Sequence, residues 1–378
     1  MTTNYTWLGS SAPWTSSSAW SINGVPTTAS PGPSDVALVS APGTYSIAVD
    51  NTQVGLVNVT DPNASIVVKT LFSAPVLFNA GTISVRSGAT LNEGGGGLSN
   101  TGLITLAGAS VFAAFGAYTT AALGNIQNAG GTLNLNGTLD NTQGTLAAST
   151  YGTMQLLGTI NGGTVVNDGA GGIVNNNPLL NAVTFKGPLV ANTLRVAGGF
   201  AVQSLSGGAG TATLLTLNPL DSETLDNLTL QGTINNTINI GVAAGTTLTL
   251  GSHGTIIAPV TPFYYYASSI SGGSFTTTGS IAGRGNLSIT TTSLINAGTI
   301  SNYTGASLNL AQSSTTLVTN YGLIANNGGT LNVSSSTVSF NNPGTIVASG
   351  GTSYIRPSVI GTGGMALANH GRLELAST

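Results

Sequence analysis

The chain has 378 residues, only 4% of them charged, and a formal net charge of −3. Its seven Lys and Arg residues are scattered and form no basic patch, so the composition argues against nucleic acid as a partner. The absence of cysteine excludes a disulfide framework and a thiolate metal site. No long apolar run occurs, so the sequence predicts no transmembrane helix.

The shortage of charge has a physical interpretation, since an ordinary globular domain has about a quarter charged residues. In a parallel stack, identical positions of neighbouring turns lie ~4.8 Å apart, and like charges there would repel by about 0.9 kcal/mol per neighbour even in water. Asn, Ser and Thr stack without that penalty and can hydrogen-bond along the column. The composition therefore favours a stack of chain turns.

Residues 1–50 differ from the rest of the chain and hold all three tryptophans, Trp7, Trp14 and Trp20. A segment with bulky aromatic residues lying across the first turn would hide the exposed end of a stack. We therefore predict an N-terminal capping segment over residues 1–50 and the stack itself over residues 51–378. The alternative is that the three indoles form a platform that stacks on sugar rings.

A repeated unit organises the remainder of the chain. Asn and Gly adopt positive φ most readily, so Asn-x-Gly predicts a sharp corner, and the alternation that follows predicts a strand with Ile83 and Val85 on one face. Neighbouring units recur at a spacing in the twenties, which is typical of a solenoid. At about 24 residues per turn, the part after Asp50 makes roughly 13 or 14 turns. The units are NAGTISV from Asn79, NTGLITL from Asn100, NAGTIS from Asn296, NYGLIA from Asn320, NPGTIVAS from Asn342 and NHGRLEL from Asn369.

The segments between these units read as short strands with period-two alternation, and none predicts a helix. Two segments break the pattern. The glycine run Gly94 to Gly97 and the alanine-rich VFAAFGAYTTAAL indicate either a widened loop or a local departure from the regular turn. Residues 259–275, which contain two prolines and the run FYYYASS, predict an irregular loop.

The most concentrated acidic cluster is Asp221, Glu223 and Asp226 in NPLDSETLDN. Paired carboxylates could hydrolyse a glycosidic bond, and clustered carboxylates could hold Ca²⁺. The cluster also falls in a turn at a strand boundary of the repeat, with almost no basic residues nearby, which favours a structural role. The three acids are therefore candidates for a catalytic or calcium site, but we expect a protein that is not an enzyme and has no cofactor.

Tyr264, Tyr265 and Tyr266 are the aromatic residues most expected to be exposed, because three consecutive side chains cannot all point inward on a strand. Exposed tyrosines could stack on a sugar or mediate a contact between subunits, and the alternative is that their loop packs against the stack. His253 and His370 each lie at a glycine-flanked corner. We predict that both are solvated turn residues rather than metal ligands or bases.

These motifs resemble large bacterial surface proteins of the autotransporter-passenger and filamentous-haemagglutinin type. Their rungs are similar to the Asn-x-Gly-Thr-Ile units of this chain. The segment that often begins their β-strand-repeat regions is similar to the opening of this chain, with Trp7, Trp14, Trp20, Gly24, Pro26, Asp35, Val36 and Ala37. The resemblance implies a right-handed parallel β-solenoid that is exported and acts in adhesion, surface coating or biofilm.

The sequence thus predicts an all-β parallel β-solenoid with an N-terminal cap. We expect an extracellular structural protein at the bacterial cell surface, a subunit of a fibre or of an adhesive biofilm layer. It would associate with itself, head to tail or laterally, and surface glycans are a further expected partner. The alternative is a polysaccharide-binding or polysaccharide-cleaving β-helix, with the three acids and the tyrosine loop forming its groove. Ice binding is a third interpretation, but it requires a flat threonine array that the irregular loops argue against.

Overall fold

The computed structural model describes residues 2–169, 171–232, 237–260, 267–310, 317–334 and 340–375. The chain divides into two compact units, Met1–Pro178 and Leu179–Thr378. It is nearly all β, with 2% helix, and its stacked parallel sheets form a β-solenoid of about 15 turns in all. The predicted fold class is confirmed.

The described part of the first unit contains strands β1 to β23 and two short helices. In chain order they are β1 Asn4–Trp7, β2 Ala12–Pro13, β3 Trp20–Ile22, β4 Val25–Pro26, β5 Val36–Val39, β6 Tyr45–Val49, β7 Thr52–Gln53, β8 Leu56–Val59, β9 Ala64–Val68, β10 Leu71–Asn79, β11 Thr82–Val85, β12 Thr90–Asn100, β13 Leu103–Leu106, β14 Val111–Ala114, β15 Ala117–Thr119, α1 Thr120–Leu123, β16 Asn125–Asn128, β17 Thr132–Leu135, β18 Thr138–Asp140, β19 Thr145–Ala147, α2 Ala148–Tyr151, β20 Thr153–Leu156, β21 Thr159–Asn161, β22 Thr164–Val166 and β23 Ile173–Asn175.

The described part of the second unit contains strands β24 to β46. In chain order they are β24 Leu179–Asn181, β25 Thr184–Lys186, β26 Leu189–Ala197, β27 Ala201–Gln203, β28 Gly210–Pro219, β29 Glu223–Leu225, β30 Leu228–Gln231, β31 Asn239–Leu250, β32 Thr255–Ala258, β33 Ser268–Thr277, β34 Ser280–Gly283, β35 Leu287–Asn296, β36 Thr299–Tyr303, β37 Ser307–Leu310, β38 Leu317–Asn320, β39 Leu323–Asn327, β40 Thr330–Val333, β41 Phe340–Asn341, β42 Thr345–Ser349, β43 Thr352–Ile355, β44 Val359–Ile360, β45 Gly364–Ala368 and β46 Arg372–Leu375.

The predicted capping segment, 1–50, combines two kinds of strand pairing. The strand β3 pairs antiparallel with β1 and with β4, unlike the parallel pairs of the stack. The strands β5 and β6 already pair in parallel with β8 and β9 of the following turn. Parallel stacking of the repeat type therefore begins within the segment that the sequence assigned to the cap.

Columns of aliphatic side chains form the core of each unit. In the first unit, parallel register aligns β6, β9, β11, β13 and β16 so that an isoleucine from each strand joins one column. An equivalent column in the second unit takes one residue each from β30, β32, β34, β36, β39 and β42. Each fully buried side chain contributes roughly 1.5 to 3 kcal/mol. The columns are Ile47, Ile66, Ile83, Ile104 and Ile126, and Leu230, Ile256, Ile281, Ile300, Ile324 and Ile346.

Turn length differs between the two units. In the first unit the aligned residues Leu91, Phe112, Leu133 and Met154 follow one another at a constant interval, shorter than the predicted turn. In the second unit the interval along the column that starts at Leu230 varies: it is long from Leu230 to Ile256 and short from Ile281 to Ile300. The predicted 13 or 14 turns covered only the part after Asp50, whereas the total of about 15 also includes the parallel stacking that begins within residues 1–50.

The strand predicted after each Asn-x-Gly unit is present, but the predicted reason for the corner was wrong. From Asn79 to Asn342, neither the asparagines nor the glycines of these units have positive φ; only the last unit does, at Asn369 and His370. The glycines are needed because turns approach closely. A Cβ built on Gly322 would overlap the carbonyl oxygen of Gly298 in the preceding turn. A Cβ built on Gly298, Gly344, Gly102 or Gly363 would likewise overlap a carbonyl oxygen of the turn before it.

From Asn79 to Asn342, the asparagines of these units are buried and bond to neighbouring turns, whereas Asn369 is exposed. Asn296 Nδ2 donates to Asn320 Oδ1 at 2.7 Å, and Asn320 Nδ2 donates to Asn342 Oδ1 at 2.7 Å. In the first unit, Asn79 Nδ2 donates to Asn100 Oδ1 at 2.8 Å. A neutral amide is both donor and acceptor, so it can repeat along a column where a charge cannot.

Two local predictions need correction. Helices are present, because Thr119 caps the first turn of α1 with its hydroxyl and the alanines that follow favour helix. In the predicted loop over 259–275, residues 261–266 lie outside the described residues, and residues from Ser268 onward belong to β33, paired with β31 and β35.

The glycine run lies within β12, at a register shift opposite Ala74 and Val76. Of the two alternatives left open for it, the structure shows the local departure from the regular turn.

Candidate functional site

The acidic residues singled out by sequence lie beside a tight loop of the preceding turn. Gly198 and Gly199 both have positive φ, which turns successive backbone N–H groups to one side of the loop. Glu223 is 1% exposed and accepts hydrogen bonds from the Gly199 N–H at 3.0 Å and the Phe200 N–H at 3.1 Å. Asp221 accepts from the Gly198 N–H at 3.0 Å. The two carboxyl groups hold this loop in place.

Asp226 faces the opposite neighbour. Its Oδ1 accepts from the backbone N–H of His253 at 2.8 Å, and its Oδ2 lies 3.4 Å from His253 Nδ1. Since His253 belongs to the following turn, Asp226 links a different pair of turns from Asp221 and Glu223. The three acids therefore do not converge. No group of three or more His, Cys, Asp or Glu side chains among the described residues is arranged to hold a metal ion.

The pKa shifts follow from these contacts. Burial raises the pKa of the Glu223 carboxyl; the Gly199 N–H opposes that rise, and the neighbouring Asp221 adds to it. The backbone N–H of His253 lowers the pKa of the Asp226 carboxyl, with a smaller contribution from the imidazole. A groove of about 420 Å³ runs past Glu223 and Asp226. Each acid beside it is engaged by backbone donors, which is the geometry of a clip between turns.

A second buried glutamate has the same role in the first unit. Glu93 is 0% exposed and accepts from the N–H groups of Gly95 at 2.8 Å and Phe115 at 2.9 Å. Phe115 lies on the next turn. A glutamate next to an irregular glycine-rich stretch is thus a sequence signal for an inter-turn clip, and it was missed at Glu93.

The three tryptophans are buried in one aromatic cluster. Trp7, Trp14 and Trp20 are 0 to 1% exposed, and the centroid of the Trp20 ring lies 4.8 Å from each of the other two. Trp14 also packs on Phe72 of β10, with ring centroids 5.3 Å apart. Each indole N–H donates to a backbone carbonyl. The protein itself therefore covers the ring faces that a sugar platform would have to expose.

The remaining candidates are the three consecutive tyrosines and the two histidines. Tyr264, Tyr265 and Tyr266 lie outside the described residues. His253 is exposed and pairs with Asp226, and His370 is exposed with a positive φ of 62°. Both histidines occupy turns, as predicted.

A hollow of about 380 Å³ in the first unit was not predicted from the sequence. It lies between α1, the end of β18 and the end of α2. Side-chain amides fix both helical turns, that of Asn100 buried and that of Asn128 partly buried. Asn100 Nδ2 donates to the carbonyl of Leu123 at 2.9 Å, and Asn128 Nδ2 donates to the carbonyl of Tyr151 at 3.0 Å.

The polar groups of this hollow come from neighbouring turns. Asp140 Oδ1 accepts from the Thr142 hydroxyl at 2.7 Å and the Thr142 N–H at 3.0 Å. Thr120 Oγ1 donates to the buried Asn141 Oδ1 at 2.6 Å. Gln143 and Tyr151 complete the polar lining. The alanine-rich segment that ends with α1 was the sequence signal for a departure from the regular turn, but it did not show which side chains would meet.

The fold defines a β-solenoid repeat protein. Comparisons with protein-family models, with curated proteins and with solved structures found no match to this chain. None of the helices in the described part of the chain is long and apolar enough to span a membrane. Surface location, adhesion and biofilm formation remain predictions from the motifs.

Proposed function

We propose that this protein is a non-enzymatic structural component of an extracellular layer or fibre at the bacterial cell surface, and that its outer strand faces associate side by side. One observation carries the proposal. In the second unit, parallel register places Thr229, Thr255, Ser280 and Thr299 next to one another on the outer face of four successive turns. All four side chains are partly exposed.

Such a column suits contact with a second copy. Hydroxyl groups repeated every ~4.8 Å offer a regular row of donors and acceptors. Net charge normally keeps proteins apart, and a charge of −3 on 378 residues supplies little repulsion. Because the contact involves no ion pairs, it should persist at high salt.

The backbone arrangement is consistent with an exposed setting under mechanical load. Each turn is joined to the next by parallel strand pairs and buried amides, and the chain has no thiol for oxidation to alter. A polysaccharide-binding role is the second candidate, and the hollow of the first unit favours it.

The test is negative-stain electron microscopy with sedimentation velocity over a protein concentration series, at low and high salt. We expect ordered lateral assemblies that grow with concentration and persist at high salt. The double variant Thr229→Lys, Ser280→Lys adds two ammonium groups that lie two turns apart, which roughly halves their mutual repulsion compared with lysines on adjacent turns. It should remain dispersed.

The matched control places the same charge elsewhere, as Ser17→Lys with Ser18→Lys on an exposed loop. This control should assemble like the unmodified protein. Discrete particles of the unmodified protein at every concentration would overturn the proposal, and so would equal assembly of both double variants.

A further inference from the structure

The hollow of the first unit has polar groups without protein partners. Tyr151 is only 6% exposed, yet its hydroxyl has no hydrogen-bond partner among the described residues. Gln143 is exposed and its amide is likewise free of contacts within the described part of the chain. Among the described residues, Asp140 accepts hydrogen bonds through one oxygen only, both from Thr142. The hollow thus presents a phenol, a carboxamide and a carboxylate oxygen.

The Tyr151 hydroxyl differs from two other tyrosine hydroxyls of this unit. Those of Tyr45 and Tyr118 are enclosed without a partner among the described residues, and neither tyrosine lines the hollow. The Tyr151 hydroxyl is not one of these enclosed groups, so a ligand that enters the hollow can replace water as its hydrogen-bond partner.

The lining restricts the class of ligand. No Lys, Arg or His contributes to it among the described residues, and Asp140 would repel an anion. A bound Ca²⁺ needs six to eight oxygen ligands, for which a single carboxylate is a poor basis. The lining combines hydroxyls and an amide with the apolar side chain of Ala121 and the aromatic side chain of Tyr151. A volume of about 380 Å³ lies at the lower end of the range for ligand sites.

We propose that this hollow binds a short segment of a neutral saccharide, whose hydroxyls bond to Tyr151, Asp140 and Gln143 and whose C–H groups pack on Ala121. A sugar ring carries both kinds of surface, as the lining does. The site goes beyond the structural function proposed above and does not depend on it.

The protonation states suit this role at neutral pH. The Thr142 hydroxyl lowers the pKa of the Asp140 carboxyl, so that group is an ionised acceptor. Burial raises the pKa of the Tyr151 phenol, which therefore remains a donor. Asn100 and Asn128 hold both flanking helical turns in place, so the site is formed before the ligand arrives.

The experiment is isothermal titration calorimetry of the full chain with cellotetraose, chitotetraose and maltotetraose. We expect saturable binding of at least one of them. Tyr151→Phe and Asp140→Asn should each weaken it about tenfold, because each removes one hydrogen bond to the sugar. Tyr151→Phe removes no contact within the described protein, so its thermal unfolding should match that of the unmodified chain.

Matched controls exist within the same unit. Tyr45→Phe removes an unpartnered tyrosine hydroxyl outside the hollow, and Asp50→Asn alters another exposed carboxylate bonded to a neighbouring hydroxyl, that of Thr70. Both controls should bind like the unmodified protein. Absence of saturable binding by all three oligosaccharides would overturn the site, as would binding that Tyr151→Phe and Asp140→Asn leave unchanged. Lateral assembly is measured separately, so failure of either proposal leaves the other standing.

Discussion

The buried asparagines of the Asn-x-Gly units form different hydrogen bonds in the two units of the chain. In the second unit Asn296, Asn320 and Asn342 bond side chain to side chain over three turns. In the first unit the column stops after two members: Asn79 donates to Asn100, but Asn100 donates to the backbone carbonyls of Leu123 and Asn125.

The cause of the difference is the helical turn α1. It occupies the corner where the next asparagine would stand, and Gly124, which follows its last residue, packs so closely that a Cβ would overlap the carbonyl oxygen of Asn100. The same helical turn forms one wall of the hollow. A corner that keeps its Asn-x-Gly unit therefore extends the asparagine column that stabilises the stack. A corner that is occupied by a helical turn ends the column and forms part of a concave surface.

The largest expected loss of stability comes from replacing the glycine of an Asn-x-Gly corner. Gly322→Ala should lower the free energy of unfolding by about 3 kcal/mol or more, since its Cβ would overlap the backbone of the preceding turn, which cannot give way as a flexible side chain can. Chemical denaturation followed by circular dichroism measures this. Gly364→Ala is the control, because a Cβ there meets nothing within 4 Å, and it should change stability by less than about 0.5 kcal/mol. A similar loss in both variants would show that close approach is not the reason for glycine.

The next largest loss of stability distinguishes the two asparagine columns. Asn320→Ala should cost about 2–4 kcal/mol, because it removes a buried donor and acceptor from the middle of a column and leaves both neighbouring amides short of a partner. Asn79→Ala should cost about 1–2 kcal/mol, because it breaks only one side-chain link, at the end of a column. Denaturant titration of both variants gives the difference. Equal costs would mean that column length adds nothing.

A smaller effect is the pH dependence of folding stability. It has opposite signs for Glu223 in the second unit and Asp168 in the first. Burial raises the pKa of Glu223 in the folded protein, so the folded state holds its proton more tightly than the unfolded state does. The stability from this group is present at low pH and is lost as pH rises from about 4.5 through the folded pKa. Asp168 in the first unit has a lowered pKa, owing mainly to the Ser149 N–H, so its stability is present above the unfolded pKa and is lost as pH falls.

Unfolding midpoints measured from acid to neutral pH separate these contributions. Relative to Glu223→Gln, the unmodified protein should lose stability as pH rises. Relative to Asp168→Asn, it should gain stability as pH rises, and only slightly, because that carboxylate is exposed to solvent. Two difference profiles with the same slope would contradict the assignment of Glu223 as a buried clip.

The candidate sites were less predictable than the fold. The acidic cluster around Glu223 was found by sequence, but its partners were not, since the donors at Gly199 and Phe200 belong to the preceding turn and are distant in the chain. Tyr151 gave no signal, because its position in the hollow depends on a single helical turn, Ala148–Tyr151, that no periodic pattern announces.

Local features of the sequence were enough to specify the stack: neutral polar residues, alternating strands and a recurring Asn-x-Gly unit favour parallel turns with aliphatic columns inside. These features recur from turn to turn, whatever the number of residues in a turn. Which residues meet across turns emerged only from the folded chain, because turn length is constant along the Leu91 column of the first unit and varies along the Leu230 column of the second. Amide columns, carboxylate clips and the hollow all depend on that alignment, since lengthening or shortening one turn changes every contact between it and the next.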